Sequence, residues 1–300
     1  MPPDHHDLLD PVAISRAESL GLNARFIVEG YMAGEHRSPY RGFAIEFAQH
    51  REYTQGDDVR HLDWKVLGRT DRYYIKQYEQ ETNYVANILL DGSESMKYGS
   101  GKLTKFQYGK AMAACLAYLV LHQRDATALG LFDVTVRDYA PRSDNLGTIH
   151  NLMARLAAFD PKEQTSIAAV LHEMARQVRR KGIVILISDF FDDESRILEG
   201  IQHLRFGGSE VVVFHLMDPW ELDFPFTGQI EFDGLENIPK LQTRPAEIRK
   251  SYLREVQGFL ERLRGGCERN NCHYTLVNTA QPLHEVLSAY LAFRLRTTTR

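Results

Sequence analysis

The run Ile183-Val184-Ile185-Leu186-Ile187 limits the fold more than any other segment. A strand with one wet face alternates apolar and polar residues, because successive side chains point to opposite faces. Five aliphatic residues without a break need cover on both faces, as in a central strand of a parallel sheet. The run ends in Ser188-Asp189. A second run, Val85-Ala86-Asn87-Ile88-Leu89-Leu90, ends in Asp91-Gly92-Ser93-Glu94-Ser95. From residue 83 onward, strand-like and helix-like segments alternate. Strands are expected over 84–90, 127–132, 183–187, 210–216 and 274–277, with a short antiparallel return over 134–139 after a turn at Asp133. Helices are expected over 104–123, 146–159, 165–179, 194–204 and 246–263. Pro282 opens another, and a short hairpin falls within 218–244. The pattern predicts an α/β domain over 83–300, a mostly parallel sheet with helices on both faces.

Residues 1–82 read differently, as an amino-terminal subdomain packed on the main domain. Pro11 to Glu35 has helical character, and Tyr73 to Gln80 reads as a strand leading into the sheet. Between them lies a stretch dense in charge, with Asp57, Asp58, Arg60 and Asp63 close together. Closely spaced acids can form a catalytic metal site, and the region could also offer a docking surface, but such alternation favours an internal ion-pair network, with a turn at Gly56 and a helix cap at Asp58. Phe47 and Trp64 are expected to anchor this loop against the main domain.

Composition excludes several classes. A formal charge of -4 over 300 residues argues against general nucleic-acid binding, which needs a basic face. The basic end, Arg294 to Arg300, reads as a frayed, solvated tail. Cys115 reads as core filler, while Cys267 and Cys272 lack zinc-knuckle spacing and have no second pair. This usage suits a reducing cytoplasm. No stretch reaches 18 apolar residues, so no membrane span is expected, and the polar, acidic start is no signal peptide.

The chemistry gathers at strand ends. In an open α/β sheet, ligands bind outside the carboxyl ends of the strands. Asp91, Ser93 and Ser95 place a carboxylate and two hydroxyls on one short loop, and such hard oxygens suit an octahedral Mg²⁺ or Mn²⁺. Thr165, before a helix, and Asp189, at the end of the second apolar run, offer two more oxygens. Taken singly, each of the hydroxyl residues reads as well as a helix cap, and Asp189 as a cap for the helix near 192. Taken in this order at successive strand ends, they read as one metal site.

Asp-x-Ser-x-Ser with a later Thr and a later Asp resembles the metal-ion-dependent adhesion site of von Willebrand factor A domains. The order of elements over 83–300 is similar too. Upstream, Arg37-Ser38-Pro39-Tyr40-Arg41-Gly42, Glu46-Phe47, Arg51-Glu52-Tyr53, Gly56-Asp57-Asp58-Val59-Arg60, Asp63-Trp64-Lys65 and Arg69-Thr70 resemble a bacterial family. It is known as domain of unknown function fifty-eight and is associated with MoxR-type AAA+ ATPases. The resemblance implies a Rossmann-like von Willebrand factor A-type fold. It implies that Ser93, Ser95 and Thr165 hold the metal through hydroxyls, with Asp91 and Asp189 acting directly or through water. A protein partner would supply an acidic residue at the sixth position. A MoxR-type ATPase is the implied partner, in assembly or maturation, and no enzymatic activity is implied.

Two alternatives remain at this stage. A Mg²⁺-dependent phosphoryl-transfer enzyme of the haloacid-dehalogenase type needs a second Asp two residues after the first, where this chain has Ser93, a poor general acid at neutral pH. Phosphate-binding Gly-x-x-x-x-Gly-Lys and nucleophile Gly-x-Ser-x-Gly motifs are absent. The other alternative is a structural subunit with a vestigial metal motif. Lys162, in the loop before Thr165, either disfavours a nearby cation or steers an acidic partner.

Overall fold

The computed structural model describes residues 8–12, 14–15, 45–54, 62–80, 85–162, 166–177, 182–232 and 241–298. Backbone contacts divide the chain into two units, residues 32–83 and the remainder.

In the smaller unit, β1 (Ile45–Glu52) pairs antiparallel with β2 (Tyr74–Gln80), and α1 (Trp64–Thr70) lies between them in the chain. Asp63 caps α1, its Oδ1 accepting from Lys65 N at 2.9 Å and Val66 N at 3.2 Å. Asp71, in the left-handed region at φ 56°, closes the helix. Three expectations are corrected or displaced here. β2 joins a two-stranded sheet of its own and not the main sheet. Trp64, the first residue of α1, is 67% exposed, so its ring stands largely in solvent and not in a packed anchor. The cap of the described helix is Asp63; Asp57, Asp58 and Arg60 lie outside the described residues.

In the larger unit, β3 (Val85–Asp91), β4 (Ala126–Phe132), β5 (Val136–Ser143), β6 (Ile183–Ser188), β7 (Glu210–Met217) and β10 (His273–Asn278) form a six-stranded sheet. Its order is β10-β7-β6-β3-β4-β5. All pairs are parallel except β4 with β5. This is the doubly wound arrangement, whose order reverses between β3 and β6. The antiparallel return begins at Val136 and reaches Ser143, later and longer than the sequence suggests. Asp133 Oδ1 accepts from Val134 N at 2.7 Å, which spends those residues in the turn. Pro141 is tolerated because β5 is an edge strand.

The apolar runs divide between two cores by period-two alternation. Ile183, Ile185 and Ile187 join one layer with α2 (Lys105–His122), α3 (Thr148–Ala158) and α8 (Leu283–Thr298). Val184 and Leu186 join the other with α4 (Ile167–Gln177), α5 (Glu194–Phe206) and α7 (Pro245–Arg269). β3 splits the same way, Ile88 and Leu90 against Leu89. Leu8, Leu9 and Ile14, in a segment helical over 11–12 and 14–15, pack on the first layer. The expected hairpin is β8 (Ile230–Phe232) with β9 (Leu241–Thr243), preceded by the short helix α6 (Pro219–Asp223). Cys115, Cys267 and Cys272 are free and buried.

The basic tail is corrected. α8 runs through Thr298, and Arg294 is 2% exposed, its guanidinium bonded to both Glu210 oxygens on β7. A helix heptad places Arg294 on the face that also buries Leu287 and Leu291, so its charge needed a buried acid to accept it.

Candidate functional site

Asp91 ends β3 and Asp189 directly follows β6; these strands are neighbours at the point where the sheet order reverses, with Leu90 opposite Ile187. Both are buried, 0% and 3% exposed, as are Ser93 at 0% and Ser95 at 8%. The apolar strands carry them there: each polar residue lies within a few positions past a run that has no choice but the sheet interior.

The loop after β3 folds on itself. Ser93 N–H donates to Asp91 Oδ1 at 2.9 Å, and a 3-10 turn follows over Glu94–Lys97. The Ser93 and Ser95 hydroxyls stand 3.1 Å apart. Ser188 Oγ donates to Asp91 Oδ2 at 2.5 Å and accepts from Phe190 N–H at 2.8 Å. Asp189 takes the Phe191 N–H at 3.3 Å and a hydrogen bond from the Ser95 hydroxyl. Phe190 sits at φ 54°, a region that bulky side chains rarely occupy. It is fully buried, and that packing holds the strained turn between Asp189 and Phe191.

The structure thus brings Asp91, Ser93, Ser95 and Asp189 together, while Thr165 lies outside the described residues. The cap readings fail for two of them. Ser93 precedes the 3-10 turn without any side-chain capping bond. Asp193, not Asp189, caps α5, and Asp192 accepts from Ile167 N at the start of α4.

Two carboxylates in one dry place disturb each other. Burial, and then the Asp189 charge, push Asp91 up to about 7, with hydrogen bonds from Ser188 and Ser93 opposing. Asp189 is also pushed up by burial, but the Lys105 ammonium outweighs this and holds it below the ordinary range. The proton of the pair therefore goes to Asp91. Lys105 Nζ lies 2.7 Å from Asp189 Oδ2 and 2.7 Å from Glu221 Oε1. Its own burial would lower its pKa, yet the two acids raise it above the usual lysine value. Glu221 is raised, chiefly by burial.

Lys105, Ser188 and Glu221 are functional neighbours that motif spacing does not reveal. Lys105 is one basic residue at the start of a helix, and Glu221 lies 116 positions away. Lys162 is placed in solvent: its side chain is 61% exposed beside Asp160, and its backbone N–H donates to Gly92 O at 3.1 Å.

The donor set fits a hard divalent cation. Among the described residues, no three His, Cys, Asp or Glu side chains form a metal-sized cluster. A cation here would depend on serine hydroxyls beside the two carboxylates, as Mg²⁺ and Mn²⁺ accept. It would also offset the repulsion that raises Asp91.

Gly92 ties this loop to its neighbour. Its N–H donates to Phe132 O at 2.6 Å, and a Cβ there would lie 2.2 Å from Phe159 Cε1. Phe159 lies under Arg137, whose guanidinium carbon is 4.5 Å from the ring centroid. Gly92→Ala is expected to displace Phe159 and cost about 1–3 kcal/mol. Urea unfolding checks this; a cost under about 0.5 kcal/mol would mean the ring moves aside freely.

A doubly wound sheet with one antiparallel edge strand, its polar loops gathered at the switch point, defines a Rossmann-like α/β protein. The profile described as "Protein of unknown function DUF58" matches residues 49–259, and the chain belongs to that family. The uncharacterized protein Rv1480 of Mycobacterium tuberculosis is 25% identical over 238 residues, covering 77% of this chain and 73% of that protein. Among solved structures, the chain is similar to the conserved hypothetical protein BatB from Bacteroides thetaiotaomicron. There the identity is 16% and the TM-score 0.44, over 71% of this chain and 99% of that one. It is similar too to the SpRpn10 VWA domain, at 12% identity and TM-score 0.41, over 69% and 94%. Among the described residues, no helix is long and apolar enough to cross a membrane.

Proposed function

We propose that this protein is a non-enzymatic, metal-dependent binding module. Asp91, Ser93, Ser95 and Asp189, together with Thr165, hold Mg²⁺ or Mn²⁺, and a carboxylate from a protein partner completes the coordination shell. One observation supports this above the rest: two buried carboxylates from adjacent central strands share their place with two serine hydroxyls 3.1 Å apart.

The chain's own residues prepare the place. Ser188 and the Ser93 N–H orient Asp91, while Phe190 packing fixes the turn that presents Asp189. Hydroxyl ligands are neutral, so a bound cation would keep enough uncompensated charge to attract an outside acid. Phe191, two residues after Asp189, is 60% exposed and offers an apolar flank to the incoming group. From the family resemblance, the partner is a MoxR-type AAA+ ATPase, and the work is assembly or maturation of protein complexes in the cytoplasm.

The experiment immobilises the full chain and measures retention of a MoxR-type ATPase with Mg²⁺ and with EDTA. Retention with Mg²⁺ alone is expected, with about tenfold or greater loss in Ser95→Ala, which removes one ligand and leaves the fold intact. Equal retention with Mg²⁺, with EDTA and by Ser95→Ala would remove the metal bridge from the mechanism.

A further inference from the structure

Lys105 is badly placed by ordinary rules. It opens α2, where the positive end of the helix dipole repels an ammonium. It is also only 2% exposed, where an isolated charge is costly. Asp189 and Glu221 keep it there, each 2.7 Å from Nζ; Asp189 directly follows β6, and Glu221 stands in α6, the short helix after β7. A second link runs alongside. Ser100 donates its N–H to Asp218 Oδ2 at 2.8 Å and its hydroxyl to Asp218 Oδ1 at 2.5 Å. The Asp218 N–H in turn donates to Glu221 Oε2 at 2.8 Å. The loops after three neighbouring strands therefore converge on one ammonium, and that ammonium already occupies an oxygen of a candidate metal ligand.

We propose that Lys105 is an internal cation that sets the metal affinity of this site, competing with a divalent ion for Asp189 while Glu221 draws it away. The inference rests on the metal-binding reading above. An ammonium bonded to Asp189 weakens that carboxylate's attraction for a second cation, and like charges at this range repel strongly in a dry site. Glu221 offsets this by sharing the ammonium. Removing Lys105 and removing the Glu221 charge must then act in opposite directions. A merely structural network would behave otherwise, since breaking it at either end would loosen the same loops and weaken metal binding both times.

The test is Mn²⁺ titration of the full chain by electron paramagnetic resonance, with no partner present, for wild type, Lys105→Met, Glu221→Gln and Asp91→Asn. Lys105→Met keeps the apolar stem and removes the charge. It is expected to bind Mn²⁺ about tenfold or more tightly than wild type, and Glu221→Gln more weakly by a similar factor. Asp91→Asn should lose binding. Changes of the same sign in the first two variants, or no change, would overturn the proposal, and wild-type binding lost in Asp91→Asn would leave the metal site standing. Binding by Lys105→Met but not by wild type would support it in its strongest form. No binding by either would overturn both the proposal and the metal site. Should Lys105→Met not fold, Lys105→Gln replaces it: it keeps a hydrogen-bond donor near Asp189 and Glu221 without the charge, and unchanged or weaker Mn²⁺ binding overturns the proposal.

Discussion

Arg294→Met is expected to destabilise the protein by about 3–5 kcal/mol, the usual cost of leaving one member of a buried ion pair behind. The stranded group is Glu210, whose side chain is 9% exposed at the start of β7. Its carboxylate takes two hydrogen bonds from the Arg294 guanidinium. Methionine keeps most of the apolar stem, so the loss isolates the charge. The double substitution Arg294→Met/Glu210→Met is expected to recover most of it, because an apolar pair of similar volume often replaces a buried ion pair without net cost. Urea unfolding of the three variants measures both effects. A single-substitution cost below about 1 kcal/mol would show that the pair is wet, and that α8 is not docked on β7 as described.

The second large effect is on pH dependence and concerns Asp91 in metal-free protein. Its folded-state pKa, pushed up to about 7, lies above the 3.8 of an ordinary aspartate. Below the lower value the carboxyl is protonated in both states and folding loses nothing. As pH rises toward 7, the unfolded chain releases its proton while the folded chain retains it, so stability falls. At 1.36 kcal/mol per unit, the loss reaches about 4 kcal/mol at most near neutrality. Asp189, held low by Lys105, acts in the opposite sense, so the quantity to read is the difference between wild type and Asp91→Asn. In EDTA, Asp91→Asn is expected to gain on wild type steadily between pH 4 and 7. Saturating Mg²⁺ should remove that advantage by stabilising only the wild type. A difference that stays flat across this range would mean that Asp91 ionises as in water.

The elements with the most distinct apolar pattern were the easiest to read. Ile183–Ile187 could only be a central strand, because five aliphatic side chains in a row cannot leave either face in water. α7 was legible from Ile248, Tyr252, Val256, Phe259, Leu260 and Leu263 at helical spacing, although it continues to Arg269 through Gly265 and Gly266, the second of which lets the helix approach Leu198 where a Cβ would stand 2.4 Å from it. The unit at 32–83 was harder. β1 has no clear alternation to betray it, and β2 looks like a strand whichever sheet it joins.

The candidate site was legible as a list. Asp91, Ser93, Ser95 and Asp189 all lie within the first five residues after an apolar run, and a doubly wound sheet brings such positions to one edge. Their electrical state was not legible. Lys105 and Glu221 stand 116 residues apart and carry no spacing signal, and only folding brings their charges to 2.7 Å. The fate of Arg294 depended likewise on Glu210, 84 residues earlier. By itself, the sequence determined what is local and periodic: the strands, the helices, their alternation and the oxygens at the strand ends. The tertiary structure alone decided which charges meet, because burial and Coulomb energy depend on distance in space and not on distance along the chain.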